Sequence, residues 1–408
     1  ASVVHSCTLA TWQPPSTMTE GSDAQGVYSL VGKNLKLDSK EDIAPYLEAI
    51  EKIEPLYEVH FGGNTLGVGA CVALADVLRK KTALKVADFA DIFTGRLISE
   101  IPDALRALCD ALQNHTELEE INLSDNAFGG RSAEPMVNFL THNHNFHTLK
   151  LSNNGLGVTG GKIVADALYA AAEELKKENK PSQLRTVICG RNRLENGSAD
   201  AWARAFAAHG GLVEVRLFQN GIRMEGIQAL CEGLTKCPNL EVLDLQDNTA
   251  TLRGGRAIAA ALPSWPKLRV LNLSDCLLKS QGGHLVFDAL HIHGKSLEAL
   301  HLQYCDLNRD ALSKLGSAIE QNLERLALLE INGNFADEDD DAITTITEAL
   351  SKWGNGDALD ELDEMDPEGE EEDELLEEDE AAENEDPGEQ PDEEADALAD
   401  ELEKTHLK

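Results

Sequence analysis

A pattern of leucine-type residues, L-x-x-L-x-L-x-x-N-x-L, recurs along this chain, mostly at intervals of 28 or 29 residues. Its first position falls at Leu56, Leu84, Leu118, Phe146, Leu184, Leu212, Leu240, Leu268, Leu297 and Leu326. A fixed period of this length indicates a solenoid, because each unit buries its apolar face only against its neighbours. The chain is therefore expected to present a long binding surface rather than a deep pocket.

Each unit contains one strand signal followed by one helix signal. Within residues 240–248, apolar and polar side chains alternate, as they do in a half-buried strand. Ile227, Leu230 and Leu234 recur instead at helical spacing. The order predicts an α/β leucine-rich-repeat solenoid, a horseshoe with an inner parallel sheet and outer helices.

Composition divides the chain into three parts. We expect residues 1–25 to be a disordered N-terminal segment and residues 26–356 to be the repeat domain with an N-terminal cap. Residues 357–408 carry 27 Asp and Glu against 2 Lys, which predicts a disordered acidic tail because too little apolar surface is available to bury.

Charge and hydrophobicity exclude several classes of partner. The net charge of −38 argues against a nucleic-acid partner, which requires a basic surface. No run of about 20 apolar residues occurs, so no membrane partner is expected. The eight cysteines include no C-x-x-C pair, which indicates reduced thiols in an intracellular protein.

The ninth position of the pattern predicts a buried asparagine ladder, in which side-chain amides bond the backbone of adjacent turns. Cys276 and Cys305 substitute in two repeats and are interpreted as small ladder residues rather than metal ligands. The asparagines are Asn64, Asn126, Asn154, Asn192, Asn220, Asn248 and Asn334.

The position before the ladder is expected to be accessible at the rim where strand passes into loop, and we call it the rim column. It comprises Gly63, Asp125, Asn153, Arg191, Gln219, Asp247, Asp275, Tyr304 and Gly333. Arg193 and Glu195 extend it, and Arg96 flanks it from an earlier repeat. A strip of amide, guanidinium and carboxylate groups suits a polar protein surface, such as a GTPase with its nucleotide.

Two insertions interrupt the period. The first lies at residues 87–102, where Ile92 stands at the asparagine position. The second lies between Ala170 and Ser182, in the helical half of its repeat, and predicts a longer outer helix. Insertions in solenoids are extruded as loops, often on the binding side.

Three further motifs have ordinary structural explanations. GLGVTG at residues 155–160 matches a dinucleotide fingerprint, but its glycines also serve sharp loop turns. Residues 337–348 resemble a calcium loop without its glycine, and an acidic helix N-terminus is favoured. His142, His144 and His147 fit a polar turn better than a zinc site. No spacing predicts an enzyme with its own active-site cleft, and no metal site is expected.

Several segments closely resemble the Ran GTPase-activating proteins, a family that activates the small GTPase Ran. They are ADFADIFTGR (87–96), LSDNAFG (123–129), SNNGLG (152–157), ICGRNRLENGS (188–198) and LDLQDN (243–248). The resemblance is to the shorter, fungal-type members and covers the repeats and the acidic tail.

The resemblance implies stimulation of GTP hydrolysis by Ran in its GTP form, alone or with a Ran-binding protein. It implies that Asn153 positions the catalytic glutamine of the GTPase and that Arg96 acts in catalysis or docking. Arg191, Arg193 and Asp247 are then partner-binding residues, and we add Gln219 and Asp125 to this group.

No cofactor of its own is implied, since GTP and magnesium would be carried by the GTPase, and the chain is expected in the cytoplasm, near the nuclear envelope. Whether one of the arginines acts as an arginine finger is left open by the sequence. The alternative is a ribonuclease-inhibitor-like or scaffold repeat protein that binds a basic partner stoichiometrically.

Overall fold

The computed structural model describes residues 26–369. The predictions of disorder for residues 1–25 and for the acidic tail from residue 370 onward lie outside the described residues. Within the described part, every repeat has the predicted order of strand, loop and helix.

Thirteen short strands lie within residues 26–369. They are β1 Val27–Ser29, β2 Lys36–Leu37, β3 Glu58–His60, β4 Thr65–Leu66, β5 Val86–Asp88, β6 Glu120–Asn122, β7 Thr148–Lys150, β8 Thr186–Ile188, β9 Glu214–Arg216, β10 Val242–Asp244, β11 Val270–Asn272, β12 Ala299–His301 and β13 Leu328–Glu330. Eleven of these strands form one parallel sheet in chain order, while β2 and β4 form a separate pair.

Eleven α-helices alternate with these strands in the described residues. They are α1 Lys40–Glu51, α2 Val68–Leu78, α3 Ile101–Leu112, α4 Val137–His142, α5 Gly157–Lys177, α6 Glu195–His209, α7 Met224–Leu234, α8 Thr251–Ala261, α9 Lys279–His293, α10 Arg309–Asn322 and α11 Asp341–Lys352. Short 3-10 helices occupy Gly130–Ser132, Glu134–Met136 and Leu262–Ser264. Most consecutive helices pack against each other.

The strands are in register, so that equivalent residues of successive repeats become neighbours. Leu243 pairs with Val215 on one side and with Leu271 on the other, and all three are fully buried. The buried faces of strands and helices join in one continuous hydrophobic core. The predicted leucine-rich-repeat solenoid with a parallel sheet is therefore confirmed.

The second insertion forms the predicted longer helix, because α5 has 21 residues and is the longest helix among the described residues. The first insertion forms the loop between β5 and α3, residues 89–100. There the repeat register holds: the backbone N–H of Ile92 donates to the Asn126 side chain at 2.8 Å, and the Ile92 side chain is buried.

The asparagine ladder is confirmed. Asn154 is fully buried, and its amide nitrogen donates to the carbonyls of Leu123 and Leu151, each at 2.9 Å. The Cys276 thiol donates to the Leu245 carbonyl at 3.1 Å, which is the equivalent carbonyl of the preceding repeat. The substituting cysteine thus makes one of the hydrogen bonds that an asparagine makes at this position.

The predicted tail boundary at residue 356 requires correction, because residues 357–369 pack on the last repeat. The N–H of Leu329 in β13 donates to the Ala358 carbonyl at 2.7 Å, and the N–H of Asp360 donates to the Leu329 carbonyl at 2.9 Å. Ala358 itself is buried. This segment covers the free edge of the last strand, a position that solenoids must protect.

Candidate functional site

The rim column occupies one backbone conformation in repeat after repeat. Its non-glycine members have φ between 48° and 61°, in the left-handed region, and the structure adds Asp91 of the irregular repeat to them. The N–H of Asn153 donates to the Gly190 carbonyl at 2.9 Å, and the N–H of Arg191 donates to the Phe218 carbonyl at 2.9 Å. These bonds hold neighbouring rim positions in register.

Rim and ladder residues that are adjacent in sequence have opposite environments. Asn153 is exposed, whereas Asn154 is completely buried within the ladder. Asp125, Arg191 and Gln219 are exposed in the same way as Asn153. The structure therefore places four of the predicted site residues in successive repeats along one edge of the sheet.

Asn153 and Asp125 are joined by a side-chain hydrogen bond. The amide nitrogen of Asn153 donates to Oδ1 of Asp125 at 2.9 Å. A carboxylate only accepts hydrogen bonds, so Asp125 fixes which way round the amide lies. The carbonyl oxygen Oδ1 of Asn153 has no hydrogen-bond partner among the described residues and is left to accept a bond from a docked molecule.

One repeat keeps long side chains where its predecessor has small residues. Arg191, Arg193 and Glu195 have φ of 56°, 54° and 48°, whereas the preceding repeat has Asn153, Gly155 and Gly157 there. A non-glycine residue in this region costs on the order of 1–3 kcal/mol. Neither Arg191 nor Arg193 makes a side-chain hydrogen bond or ion pair within residues 26–369. Exposed arginines without a side-chain partner inside the protein are typical of a surface that binds an anionic or polar partner.

Arg193 borders an open depression along the rim column with a volume of about 530 Å³. Its polar walls include Glu195, Gln219, Asp247 and Asp275. Burial and then the neighbouring Asp247 charge raise the pKa of Asp275. Two adjacent carboxylates facing open space favour a cationic group of a partner protein.

Arg96 lies apart from this strip. Its guanidinium forms an ion pair with Asp38, and it donates to the hydroxyl and the backbone carbonyl of Thr65, each at 2.8 Å. Only 9% of the side chain is exposed, and the hydrogen bond from Arg96 lowers the pKa of Asp38. The structure thus gives Arg96 contacts within the protein, and its predicted role in catalysis or docking stays a prediction.

Two residues of this edge were missed by the sequence reasoning. Asp91 was overlooked because its repeat lacks the ladder asparagine, although it stands directly before Ile92. Leu277 lines the depression from the position after the ladder residue Cys276, and it is 37% exposed with φ of 48°. The same position holds Arg193 one residue after Asn192, and this alignment was the available signal.

The other motifs have structural explanations in the described part of the chain. Asp340 caps the N-terminus of α11 by accepting from the N–H of Ala342, which accounts for the acidic run at residues 337–341. Gly155 and Gly157 have φ of 63° and 62°, as sharp loop turns require. Among residues 26–369 no group of His, Cys, Asp and Glu is spaced to hold a metal ion, and no helix is long and apolar enough to cross a membrane.

Comparison with known proteins identifies the family. A leucine-rich-repeat model matches residues 142–164 and 236–259. A Saccharomyces cerevisiae protein named Ran GTPase-activating protein 1 is 40% identical over 333 residues, which are 79% of this chain and 81% of that protein. This chain belongs to the Ran GTPase-activating proteins.

Two further relatives bear on the choice between the Ran GTPase-activating protein family and the ribonuclease-inhibitor alternative. A Xenopus laevis protein also named Ran GTPase-activating protein 1 is 43% identical over 209 residues, which are 50% of this chain and only 36% of that relative. A Sus scrofa protein named ribonuclease inhibitor is 27% identical over 71% of this chain and 60% of that protein. The lower identity gives the ribonuclease-inhibitor alternative less support.

Proposed function

We propose that this protein stimulates GTP hydrolysis by the small GTPase Ran in its GTP form, with the rim column as its docking surface. Family membership supports this function, and the arrangement of Asn153, Arg191, Gln219 and Asp247 along one edge supplies a continuous polar surface. The bond that breaks lies on the GTPase. This protein holds no nucleotide or magnesium of its own in the proposed reaction.

The hydrogen bond between Asn153 and Asp125 is the single observation that carries the proposed mechanism. Because the amide nitrogen faces Asp125, the side-chain carbonyl oxygen of Asn153 is left to accept a hydrogen bond from the side-chain amide of the GTPase glutamine. A glutamine held in this way keeps the attacking water in line with the γ-phosphate. Positioning alone contributes several kcal/mol to lowering a barrier, so no additional charge is required.

The exposed arginines serve docking in this account. Arg191 and Arg193 are free of ion pairs with described residues and therefore available to the phosphate-rich, acidic neighbourhood of a bound nucleotide or to carboxylates of the GTPase. Asp247, with Asp275 beside it, takes a basic side chain of the GTPase from the other end of the depression. The two charge signs together set the orientation of the bound GTPase.

The proposed function also implies where the protein acts. We place it in the cytoplasm, at or near the nuclear envelope, where hydrolysis on Ran supports nucleocytoplasmic transport. A Ran-binding protein bound to the same GTPase is compatible with a docking surface confined to one edge of the sheet.

Catalytic turnover is the decisive test of this function. Ran loaded with GTP is mixed with this protein at about one hundredth of the GTPase concentration, and phosphate release is followed over time. We expect many hydrolysis events for each molecule of this protein. Acceleration only at stoichiometric amounts, or binding without acceleration, would support the scaffold or inhibitor alternative.

A further inference from the structure

The tip of the loop between β5 and α3 presents two large apolar side chains to solvent. Leu97 is 54% exposed and the adjacent Ile98 is 51% exposed. Scattered apolar residues are common on protein surfaces, but two neighbours at the tip of an inserted loop form a small apolar contact point.

This loop is fixed on the N-terminal side of its tip. Phe93 is buried and packs against Phe128 with ring centroids 6.2 Å apart. The Thr94 hydroxyl donates to Asp91 at 2.6 Å, and the N–H of Arg96 donates to the Phe93 carbonyl at 3.0 Å. The exposure of the tip therefore belongs to an ordered loop rather than to a frayed one.

The Arg96 side chain connects the part of the loop next to the tip with the earlier repeats. It reaches Asp38, which follows β2, and Thr65, which lies in β4, so that one guanidinium connects three successive units. Gly67 leaves the room for this path, since a side-chain carbon there would lie 3.1 Å from the guanidinium and 2.7 Å from the Asp38 carbonyl. The guanidinium of Arg96 is therefore engaged by residues of the protein itself.

The tip lies on the same edge of the sheet as the proposed docking surface. The loop leaves the carboxyl end of β5, and Asn153 follows β7, two strands further along the parallel sheet. Neighbouring strands are about 4.8 Å apart, so the two repeats are separated by about 10 Å along the edge. A GTPase seated on the rim column at Asn153 is within reach of the tip.

We propose that Leu97 and Ile98 dock on an apolar patch of the GTPase bound to the rim column, and that Asp38 and Thr65 are positioning residues that hold this tip through Arg96. The inference rests on the proposed function and adds an apolar anchor to an otherwise polar surface. It also changes the role of Arg96 from a group that touches the GTPase to a group that fixes the loop.

The first test removes the apolar tip. Leu97→Ser combined with Ile98→Ser is compared with Ile292→Ser, which removes an isoleucine that is 68% exposed at the end of α9. Stimulated hydrolysis is measured over a range of Ran–GTP concentrations. We expect KM to rise about tenfold in the double variant while kcat changes less than about twofold, and the control to match wild type. An unchanged KM would overturn the docking role of the tip.

The second test examines the contacts of Arg96 with Asp38 and Thr65. Asp38→Ala and Thr65→Val are each expected to raise KM in the same direction as Arg96→Ala, and Asp38→Ala added to Arg96→Ala is expected to have no further effect. Circular dichroism and thermal unfolding establish whether each variant is folded. If Asp38→Ala does not fold, Thr65→Val serves as the test, because valine keeps the shape of the threonine side chain.

Two results distinguish a direct action of Arg96 on the GTPase from failure of the proposed function. If Arg96→Ala lowers kcat while Asp38→Ala and Thr65→Val change neither kcat nor KM, Arg96 acts on the GTPase directly and the positioning role is overturned. If the wild-type protein does not accelerate hydrolysis by Ran at all, the proposed function itself fails, and the inference fails with it.

Discussion

Asn153 and Asp125 occupy the same rim position in consecutive repeats, and the amide nitrogen of Asn153 donates to the Asp125 carboxylate at 2.9 Å. The repeat architecture itself creates this pair, because equivalent positions of neighbouring units are brought together by the parallel sheet. A short polar side chain in one repeat thus sets the orientation of a short polar side chain in the next.

Asp125→Asn is expected to lower the maximal stimulated rate. An asparagine at position 125 can donate as well as accept, so the Asn153 amide is no longer held one way round. Misorientation of a positioning group costs on the order of tenfold in rate, whereas KM should change little because Asn153 is still present. Single-turnover hydrolysis at saturating protein measures the effect. Asp110→Asn, on the exposed face of α3, is the matched control, and equal rates for the two variants would contradict the orienting role.

Arg191→Ala and Arg193→Ala are expected to weaken docking more than chemistry. Each should raise KM by about tenfold, the effect of losing one charge-assisted contact, and leave the maximal rate within about threefold of wild type. Arg256→Ala, which removes an exposed arginine from α8, is the control. A loss of maximal rate of about 10³ or more in either rim variant would instead identify an arginine finger.

Asn154→Ala is expected to reduce the stability of the fold. The substitution leaves the N–H of Asn126 without its buried side-chain acceptor. It also removes one of the two side-chain amides that donate to each of the carbonyls of Leu123 and Leu151. An unpaired buried N–H costs about 1–3 kcal/mol and each lost hydrogen bond costs about 1 kcal/mol, so the free energy of unfolding should fall by about 3 kcal/mol. Urea unfolding followed by circular dichroism measures it. Asn153→Gly, one residue away on the rim, should change the free energy of unfolding by less than about 1 kcal/mol.

His209 makes stability depend on pH. Burial lowers its pKa to about 4, and its ring nitrogens are engaged with the Leu168 carbonyl at 2.9 Å and the Ser182 hydroxyl at 2.6 Å. The unfolded chain binds a proton here below about pH 6.5, while the folded chain does so only below about pH 4. The contribution of His209 to the free energy of unfolding is therefore complete above about pH 6.5 and is lost progressively as the pH falls towards 4.

Between pH 7.5 and pH 5.5, the protonation of His209 in the unfolded chain should lower the free energy of unfolding by about 1 kcal/mol. His209→Gln, which can still donate to the Leu168 carbonyl but does not titrate, should remove that part of the pH dependence. Urea unfolding of both proteins at the two pH values measures the difference. An identical pH dependence in the variant would show that His209 is not responsible.

Much of the fold could be predicted because the repeat period by itself indicates a leucine-rich-repeat solenoid. The alternation around Leu243 gave the strands, and the adjacent positions of Asn153 and Asn154 already separated an accessible residue from a buried one. The longer α5 followed from the Lys- and Glu-rich insertion after Ala170. These features depend on local spacing, which a single sequence displays in full.

Contacts between residues that are distant in the chain could not be predicted from the sequence. The ion pair of Arg96 with Asp38 joins positions 58 residues apart, and no periodic signal links them. The segment around Ala358 was assigned to the tail because its composition is acidic, yet a few of its backbone groups complete the edge of β13. Tertiary contacts decided both cases, and composition could not reveal them.

The maximal rate of stimulated GTP hydrolysis reports whether Asn153 acts in the chemical step. Asn153→Ala and Asn153→Gly are compared at saturating protein with Asn179→Gly, an exposed asparagine with φ of 55° just beyond the end of α5. Glycine adopts this backbone conformation without strain, so it removes the side chain alone. We predict that both Asn153 variants lose on the order of 10² in maximal rate with a smaller change in KM, while the control keeps full activity. Wild-type rates in both Asn153 variants would show that Asn153 does not act in the chemical step.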